Sequence, residues 1–147
     1  MRNNKFNFLV VLSLILAVSL ACGKPDAKKI ETLAAINQTS EKLDGYTLRG
    51  IKFSYYKIPS GLEKNDLIKT ARELHQIEPD ANLILVDDAT RVSEYIKYAQ
   101  SFGKGTFDAE LPKEWADKHV VANVQQLTSG KWQLCEGYGY REIADLE

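Results

Sequence analysis

This sequence has few histidines and cysteines, and neither sign of charge is in excess. The 147 residues include two histidines, two cysteines and nearly equal numbers of basic (19) and acidic (20) side chains. His75 and His119 lack the HxH or HExxH spacing that favours a zinc centre, so no metal site is predicted. No basic stripe or tail stands out, and nucleic acid is therefore not an expected partner.

A glycine-rich phosphate loop is also missing. The segment Gly137-Tyr138-Gly139-Tyr140 resembles one only superficially, because it does not lead from a strand into a helix N-terminus. Glycine within a strand pattern more often marks a bulge or a close backbone approach. We therefore expect no nucleotide or other cofactor.

The longest uncharged run lies at the N-terminus. Arg2 and Lys5 precede it, and Phe8–Ala21 carries no charge before Cys22. A basic segment, an apolar core and a small residue before the cut predict a removable secretory signal over residues 1–21. The run of about 14 residues is shorter than the roughly 20 needed to cross the hydrocarbon core, so a permanent transmembrane helix is the weaker interpretation.

The residues Val18-Ser19-Leu20-Ala21-Cys22 resemble the lipobox of bacterial lipoproteins. Ser19 departs from the Leu most often found at its position. The resemblance implies that Cys22 carries a thioether-linked diacylglycerol and an N-acyl chain such as palmitate. Chains of this kind hold a protein permanently on a membrane. The alternative is an ordinary signal peptide with an incidental cysteine.

The resemblance also implies a location and a redox consequence. A chain anchored through Cys22 lies in the cell envelope on the extracytoplasmic side. Gly23, in place of Asp, resembles the default that sends Gram-negative lipoproteins to the outer membrane, facing the periplasm. Cys135 would then have no partner, so the fold is expected to depend on packing and not on a disulfide.

Hydrophobic periodicity divides the rest of the chain. Residues 22–44 are predicted to form the lipidated cysteine and a polar tether, and residues 45–147 a single domain. Strands are predicted over residues 46–58, over 82–86, and on both sides of a Thr128-Ser129-Gly130 turn, with Val124 opposite Leu134 and Val120 opposite Tyr138. The predicted order is β-α-β-α-(short α)-β-β. This is an α+β domain with a four-stranded, mostly antiparallel sheet and two helices on one face.

The sequence offers binding candidates but no assigned catalytic residue. Asp87 and Asp88 follow a buried strand at its carboxyl end, where α/β proteins place ligand-handling groups. The alternative is that an Asp in this turn caps the next helix. His119, Tyr138 and Tyr140 are the other candidates, in the aromatic last third of the chain. The hairpin register puts Cys135 about 13 Å from His119, too far for a thiol–imidazole pair.

Three functions remain open at this stage. The anchor and the small size favour a non-enzymatic binding or accessory module that contacts an envelope protein or a cell-wall component, including exclusion or immunity lipoproteins. A small envelope hydrolase would need Asp87 or Asp88 within hydrogen-bond reach of His75 or His119, in a pocket. A small-ligand carrier would need an apolar pocket of several hundred Å³ between sheet and helices.

Overall fold

The computed structural model describes residues 40–146. The signal segment 1–21, Cys22 and most of the predicted tether lie outside the described residues. No helix within residues 40–146 has both the length and the apolar character that a membrane span requires.

Six strands and three helices make up the described residues. The strands are β1 (Glu41–Leu48), β2 (Ile51–Lys57), β3 (Ala81–Val86), β4 (Val120–Gln126), β5 (Trp132–Glu136) and β6 (Glu142–Asp145). The helices are α1 (Lys64–Ile77), α2 (Val92–Lys104) and α3 (Lys113–His119). The α+β class is confirmed. Because β1 begins at Glu41, the last four residues of the predicted tether 22–44 belong to the sheet.

One mixed sheet contains all six strands in chain order. β2 and β3 are parallel neighbours joined through α1, and the other four neighbouring pairs are antiparallel. The prediction of a mostly antiparallel sheet is confirmed, but the predicted number of four strands is wrong. The predicted strand over 46–58 is in fact parts of two strands joined by Arg49 and Gly50, and β6 adds the far edge. Both missed strands lie at the edges of the sheet, where few side chains are buried and the apolar alternation is weak.

The hairpin of β4 and β5 has the predicted register over its buried part. Val124 lies opposite Leu134, as the apolar alternation predicts. The pairing of Val120 with Tyr138 is wrong, because β5 ends at Glu136, opposite Ala122. The backbone turns out of the ladder at Gly137, which has a φ of 57°. Tyr138 is therefore released into a loop.

Helices cover both faces of the sheet, so the prediction of two helices on one face is wrong. On one face α1 packs over the sheet, and the buried cluster there includes Leu67, Ala71, Leu74, Leu83, Leu85, Val124 and Leu134. On the other face α2 and α3 cover a second cluster that includes Tyr55, Ile84, Val86, Val92, Tyr95, Ile96, Trp115 and Ala116. The physical reason lies in β3. Its contiguous apolar residues point alternately to both faces, and each face needs a cover.

The parallel pair β2–β3 determines which loops share an end of the sheet. Val86 ends β3 beside Val120, the first residue of β4, so the turn after β3 lies at the carboxyl end of the parallel strands. The loop between β5 and β6 lies at this end too. The chain also enters here, since Glu41 pairs with Lys57 at the end of β2. The turn at Arg49 and Gly50 lies at the opposite, amino end.

Candidate functional site

Five side chains from three segments meet at the carboxyl end of the sheet. We call them the acidic–aromatic face: Asp87, Asp88, Trp115, His119 and Tyr138. The two aspartates follow β3, the indole and the imidazole come from α3, and the phenol comes from the loop after β5. The face thus contains four of the five binding candidates identified from sequence.

Asp87 and His119 form the most direct contact of the face. The Oδ1 atom of Asp87 lies 2.8 Å from Nδ1 of His119, and the two side chains are 19% and 21% exposed. The backbone joins the same residues, because the N–H of Asp87 donates to the carbonyl of His119 at 3.1 Å. α3 ends at His119 and β4 begins at the next residue, beside the end of β3. Strand pairing therefore brings the carboxylate and the imidazole together.

Asp88 is held by hydrogen bonds on the other side of the turn. Its Oδ1 accepts the backbone N–H of Thr90 at 2.6 Å, the Thr90 hydroxyl, and the indole N–H of Trp115 at 3.2 Å. These bonds, from Thr90 first and Trp115 next, together with the nearby His119, lower the pKa of Asp88 to about 2. The carboxylate is therefore ionised at every physiological pH.

Neither aspartate caps the next helix, which was the alternative interpretation of this turn. α2 begins at Val92, and its N-cap residue is Arg91, with no side-chain cap hydrogen bond. Asp88 instead closes a local turn with Thr90, the pattern in which an Asp side chain accepts the N–H two residues on. It also gives the indole N–H of the buried Trp115 the partner that such a group needs.

The aromatic rings of the face pack against one another and against buried Tyr95. Buried Tyr95 of α2 lies 6.0 Å from Trp115 and 6.4 Å from Tyr138, measured between ring centroids. The rings of Trp115 and His119 are 6.0 Å apart. These separations fall in the range of favourable aromatic pairs. Tyr138 is 42% exposed, so part of this side chain is open to solvent.

The loop that carries Tyr138 is fixed from two sides. The side-chain amide of Asn123 donates to the carbonyls of Gly137 and Gly139 at 2.9 and 3.0 Å. The Tyr138 hydroxyl donates to Asp117, whose other oxygen accepts from Lys113 at 2.7 Å. The hydrogen bond to Asp117 raises the pKa of Tyr138, so its phenol stays protonated.

Tyr140 does not join the face. It is 82% exposed in the same loop and takes part in none of the hydrogen bonds or ring contacts described above. Sequence reasoning also missed four residues that build the face or hold it: Trp115, Asn123, Asp117 and Tyr95. A buried indole's need for a hydrogen-bond partner was a usable signal for Trp115. Asn123 gave no signal, because a polar residue between Ala122 and Val124 fits ordinary strand alternation.

Two further observations concern metal ligands and the thiol in the described part of the chain. Within residues 40–146 no three histidine, cysteine, aspartate or glutamate side chains are grouped so that they could hold a metal ion. Cys135 is a buried free thiol in β5. Its sulfur accepts hydrogen bonds from the amides of Gln125 and Gln133 at 3.1 and 3.0 Å. These contacts place the thiol in a packed polar site of the sheet.

No family model, no curated protein and no solved structure matches this chain. What the domain binds or does must therefore follow from the chemistry of its own residues.

Proposed function

We propose that this chain is a lipoprotein of the bacterial cell envelope that acts as a non-enzymatic binding module. Cys22 carries the lipid and holds the domain on the extracytoplasmic side of a membrane, which is the outer membrane if the cell is Gram-negative. The acidic–aromatic face is the surface that binds its partner. The N-terminal sequence supports the anchor, and the geometry of the face supports the binding role.

One observation carries the binding role: the polar groups of the face are already held by fixed internal partners, while the aromatic Tyr138 stays partly open to solvent. Asp88 is held by Thr90 and Trp115, and Tyr138 by Asp117. Groups that are fixed before binding lose little conformational entropy when a partner arrives. Such an arrangement suits recognition.

The chemistry of the face indicates the class of partner. Carboxylates accept hydrogen bonds and attract cations, and exposed aromatic edges contact apolar surface. The complementary surface is one that carries hydrogen-bond donors or cationic groups beside an apolar patch. An envelope protein or a cell-wall component fits this description. An exclusion or immunity role is the special case in which that partner belongs to an entry or toxin system.

The anchor is tested by intact mass spectrometry of the membrane fraction. We expect wild type to have the mass of a chain that begins at Cys22 and carries lipid, and Cys22→Ala to lose that species. An unlipidated, released wild-type chain would contradict the anchor and leave the binding face to be tested by itself.

The binding face is tested by photo-crosslinking in living cells. The crosslinker p-benzoylphenylalanine replaces Tyr140, which is exposed beside the face, or Lys69, which is exposed on α1 across the sheet. We expect a discrete adduct from position 140 and none from position 69. The adduct should weaken in an Asp88→Asn or Tyr138→Ala background. Equal adducts from both positions, or an adduct indifferent to these variants, would contradict the proposed face.

A second candidate function, an envelope hydrolase, is favoured by the contact of Asp87 with His119. When Nδ1 donates to Asp87, Nε2 is the free acceptor of the ring and can take a proton from a water. The test compares wild type with His119→Gln and Asp87→Asn on chromogenic acetate and phosphate esters. Turnover by wild type that both variants reduce would support a hydrolase. Turnover that both variants retain would contradict it.

The small-ligand carrier has less support. The pocket lined by Lys52, Ile77, Glu78, Pro79, Asp80 and Ala81 has a volume of about 130 Å³. Sites for drug-sized ligands measure several hundred Å³. The pocket also lies at the end of α1, outside the space between helices and sheet where a carrier would hold its ligand.

A further inference from the structure

An exposed apolar surface lies at the amino end of the sheet, opposite the acidic–aromatic face. Three large apolar side chains stand out of the domain there: Ile51, Phe102 and Phe107 are 51%, 60% and 70% exposed. Single exposed apolar residues are ordinary, but neighbouring ones mark contact surfaces. Together with Leu48, Arg49 and Lys104 we call these residues the hairpin-tip surface.

The contacts make this surface continuous. Leu48 and Ile51 are paired at the end of the β1–β2 hairpin, so their side chains lie on the same face of the sheet. Leu48 packs against α2 at Gly103, where an added Cβ would lie 2.3 Å from its Cδ2 atom. Phe102 is the next residue of the helix, and its ring lies 5.8 Å from that of Phe107.

The backbone is strained at two points of this surface. Within residues 40–146, Arg49 and Phe107 are the two non-glycine residues with positive φ, at 51° and 53°. Arg49 precedes Gly50 in a two-residue hairpin turn, a position where Asn, Asp or Gly is preferred. A cation and an aromatic ring therefore occupy backbone positions that other residues would fill with less strain. Strain of this kind tends to collect at functional sites.

Positive charge flanks the exposed rings. Arg49 adjoins Leu48, and Lys104 adjoins Gly103, and neither forms an ion pair with another residue of the described chain. Asp108 is the anion beside Phe107. Hydrogen bonds from Ser101 and Thr106, with a smaller effect of the Lys104 charge, lower its pKa. Along the chain, Arg49 and Lys52 flank the exposed Ile51 and Lys104 follows Phe102 by two residues, while Asp108 and Glu110 follow Phe107. These neighbours comprise three cations and two anions.

We propose that the hairpin-tip surface lies on an anionic phospholipid bilayer, with the rings of Phe102 and Phe107 at the boundary between headgroups and acyl chains. This inference rests on the proposed lipid anchor at Cys22. Apolar rings beside lysine or arginine are the usual composition of a protein surface that binds the membrane interface. Each cation close to anionic lipid adds to the attraction.

The length of chain between the anchor and the domain is consistent with this orientation. Residues 23–39 separate Cys22 from Ser40, and a chain of this many residues can reach at most about 60 Å. The seven residues of β2 measure about 23 Å from end to end. Although the chain enters at the far end of the sheet, the number of residues is therefore sufficient for the anchor and the hairpin-tip surface to meet one bilayer.

The anchor also explains why a small surface is enough. A lipid-attached domain is held within reach of the bilayer at an effective concentration in the millimolar range. Two rings and two cations then need to supply only a weak interaction to orient the domain. In this orientation the acidic–aromatic face points away from the membrane, where a partner can reach it.

The test measures immersion depth by spin-label EPR on the full lipidated chain in vesicles that contain phosphatidylglycerol. A nitroxide is placed on Phe107→Cys, with Tyr140→Cys as the matched control, since both replace an exposed aromatic residue. Cys135 is buried and the thiol of Cys22 carries lipid, so only the new cysteine is labelled. We expect the ratio of collisions with oxygen to collisions with an aqueous nickel chelate to be several-fold higher at 107 than at 140.

The charge and apolar contributions are separated by further variants. Arg49→Gln with Lys104→Gln should reduce the ratio at 107 on anionic vesicles and leave it unchanged on neutral ones. Phe102→Ser should reduce it on both. A ratio at 107 that these changes do not affect overturns the proposal.

The remaining outcomes distinguish this proposal from the anchor. If the chain sediments with vesicles but the two labels report the same aqueous exposure, the membrane contact is wrong and the anchor stands. If the chain stays in the supernatant, the anchor fails and this inference fails with it. If the label at 107 is shielded in native membranes but not in lipid vesicles, the occupant is a protein, which also overturns the proposal.

Discussion

Removing the Glu78 carboxylate should destabilise the domain through two buried hydroxyls. Glu78 is the C-cap residue that follows α1, and it accepts hydrogen bonds from Lys42 at 2.7 Å, from Ser54 at 2.8 Å and from the Tyr56 hydroxyl. The carboxylate therefore joins the end of the helix to two strands. Ser54 and Tyr56 are 3% and 6% exposed, so water cannot readily replace the lost acceptor.

The magnitude follows from what each partner loses. In Glu78→Ala, two buried hydroxyls lose their acceptor at about 1–2 kcal/mol each, and the half-exposed Lys42 loses an ion pair that contributes at most about 1 kcal/mol. We expect the free energy of unfolding to fall by about 2–5 kcal/mol. Glu78→Gln keeps an acceptor oxygen and should lose about half as much. Lys42→Ala should lose less than about 1 kcal/mol.

The assay is urea denaturation at pH 7, followed by circular dichroism, with all variants in the Cys22→Ala chain so that lipid does not interfere. A Glu78→Ala protein within about 0.5 kcal/mol of its parent would refute the reasoning, because the buried hydroxyls would then have found other partners. A Lys42→Ala loss as large as that of Glu78→Ala would show that the ion pair dominates.

The same carboxylate predicts a pH dependence. Burial by itself would raise the pKa of Glu78, but the hydrogen bonds from Lys42, Tyr56 and Ser54 outweigh it and lower the pKa below the ordinary value of 4.5. The unfolded chain thus binds the proton more readily than the folded one. The stabilisation is fully present above about pH 4.5 and is lost as the pH falls through the folded pKa. The difference between wild type and Glu78→Gln should shrink over that range.

Three further substitutions test other contacts by the same denaturation assay. Burial lowers the pKa of His75, and its buried Nδ1 has no partner among the described residues. His75→Phe should therefore keep or raise stability at pH 7.5 and remove part of the loss of stability that begins below about pH 6.5. An unchanged dependence of stability on pH would contradict this. Arg49→Asn should add about 1 kcal/mol, since Asn tolerates the left-handed backbone of this turn; a loss of stability would show that Arg49 makes a stabilising contact. Gly103→Ala should change stability by less than about 1 kcal/mol, because its Cβ meets the terminal methyl of the partly exposed Leu48, which can turn away, and because Ala favours the helix over Gly. A larger loss would show that Leu48 is held in place against α2.

Apolar periodicity predicted those parts of the fold in which packing and local pattern agree. β3, α1, α2 and the register of Val124 with Leu134 follow from it because each buries a regular set of side chains. β1 was not predicted as a separate strand because it is an exposed edge strand with polar residues at most positions. The turn after β1 was not predicted because Arg49–Gly50 lacks the Asn-Gly or Asp-Gly signal of a two-residue hairpin.

The candidate site could be predicted only in its parts. Asp87 and Asp88 were visible because they follow a buried strand, but the contact of Asp87 with His119 depends on the pairing of β3 with β4 across more than thirty residues. No local sequence pattern indicates a pairing between strands so far apart in the chain. The role of Asn123 likewise depends on where the chain leaves β5, which is decided by the backbone turn at Gly137.

The parallel pairing of β2 and β3 connects the two proposals. Because α1 returns the chain to the amino end before β3 begins, β3 delivers Asp87 to the end of the sheet opposite the hairpin turn at Arg49. An antiparallel β2–β3 hairpin would have put the turn after β3 and the turn before β2 at the same end. The crossover therefore separates a surface suited to lipid from a surface suited to a partner by the full length of the sheet. A domain anchored through Cys22 could rest on the first surface only if residues 23–39 are numerous enough to reach past the sheet. We therefore expect that shortening this segment would weaken the proposed membrane contact.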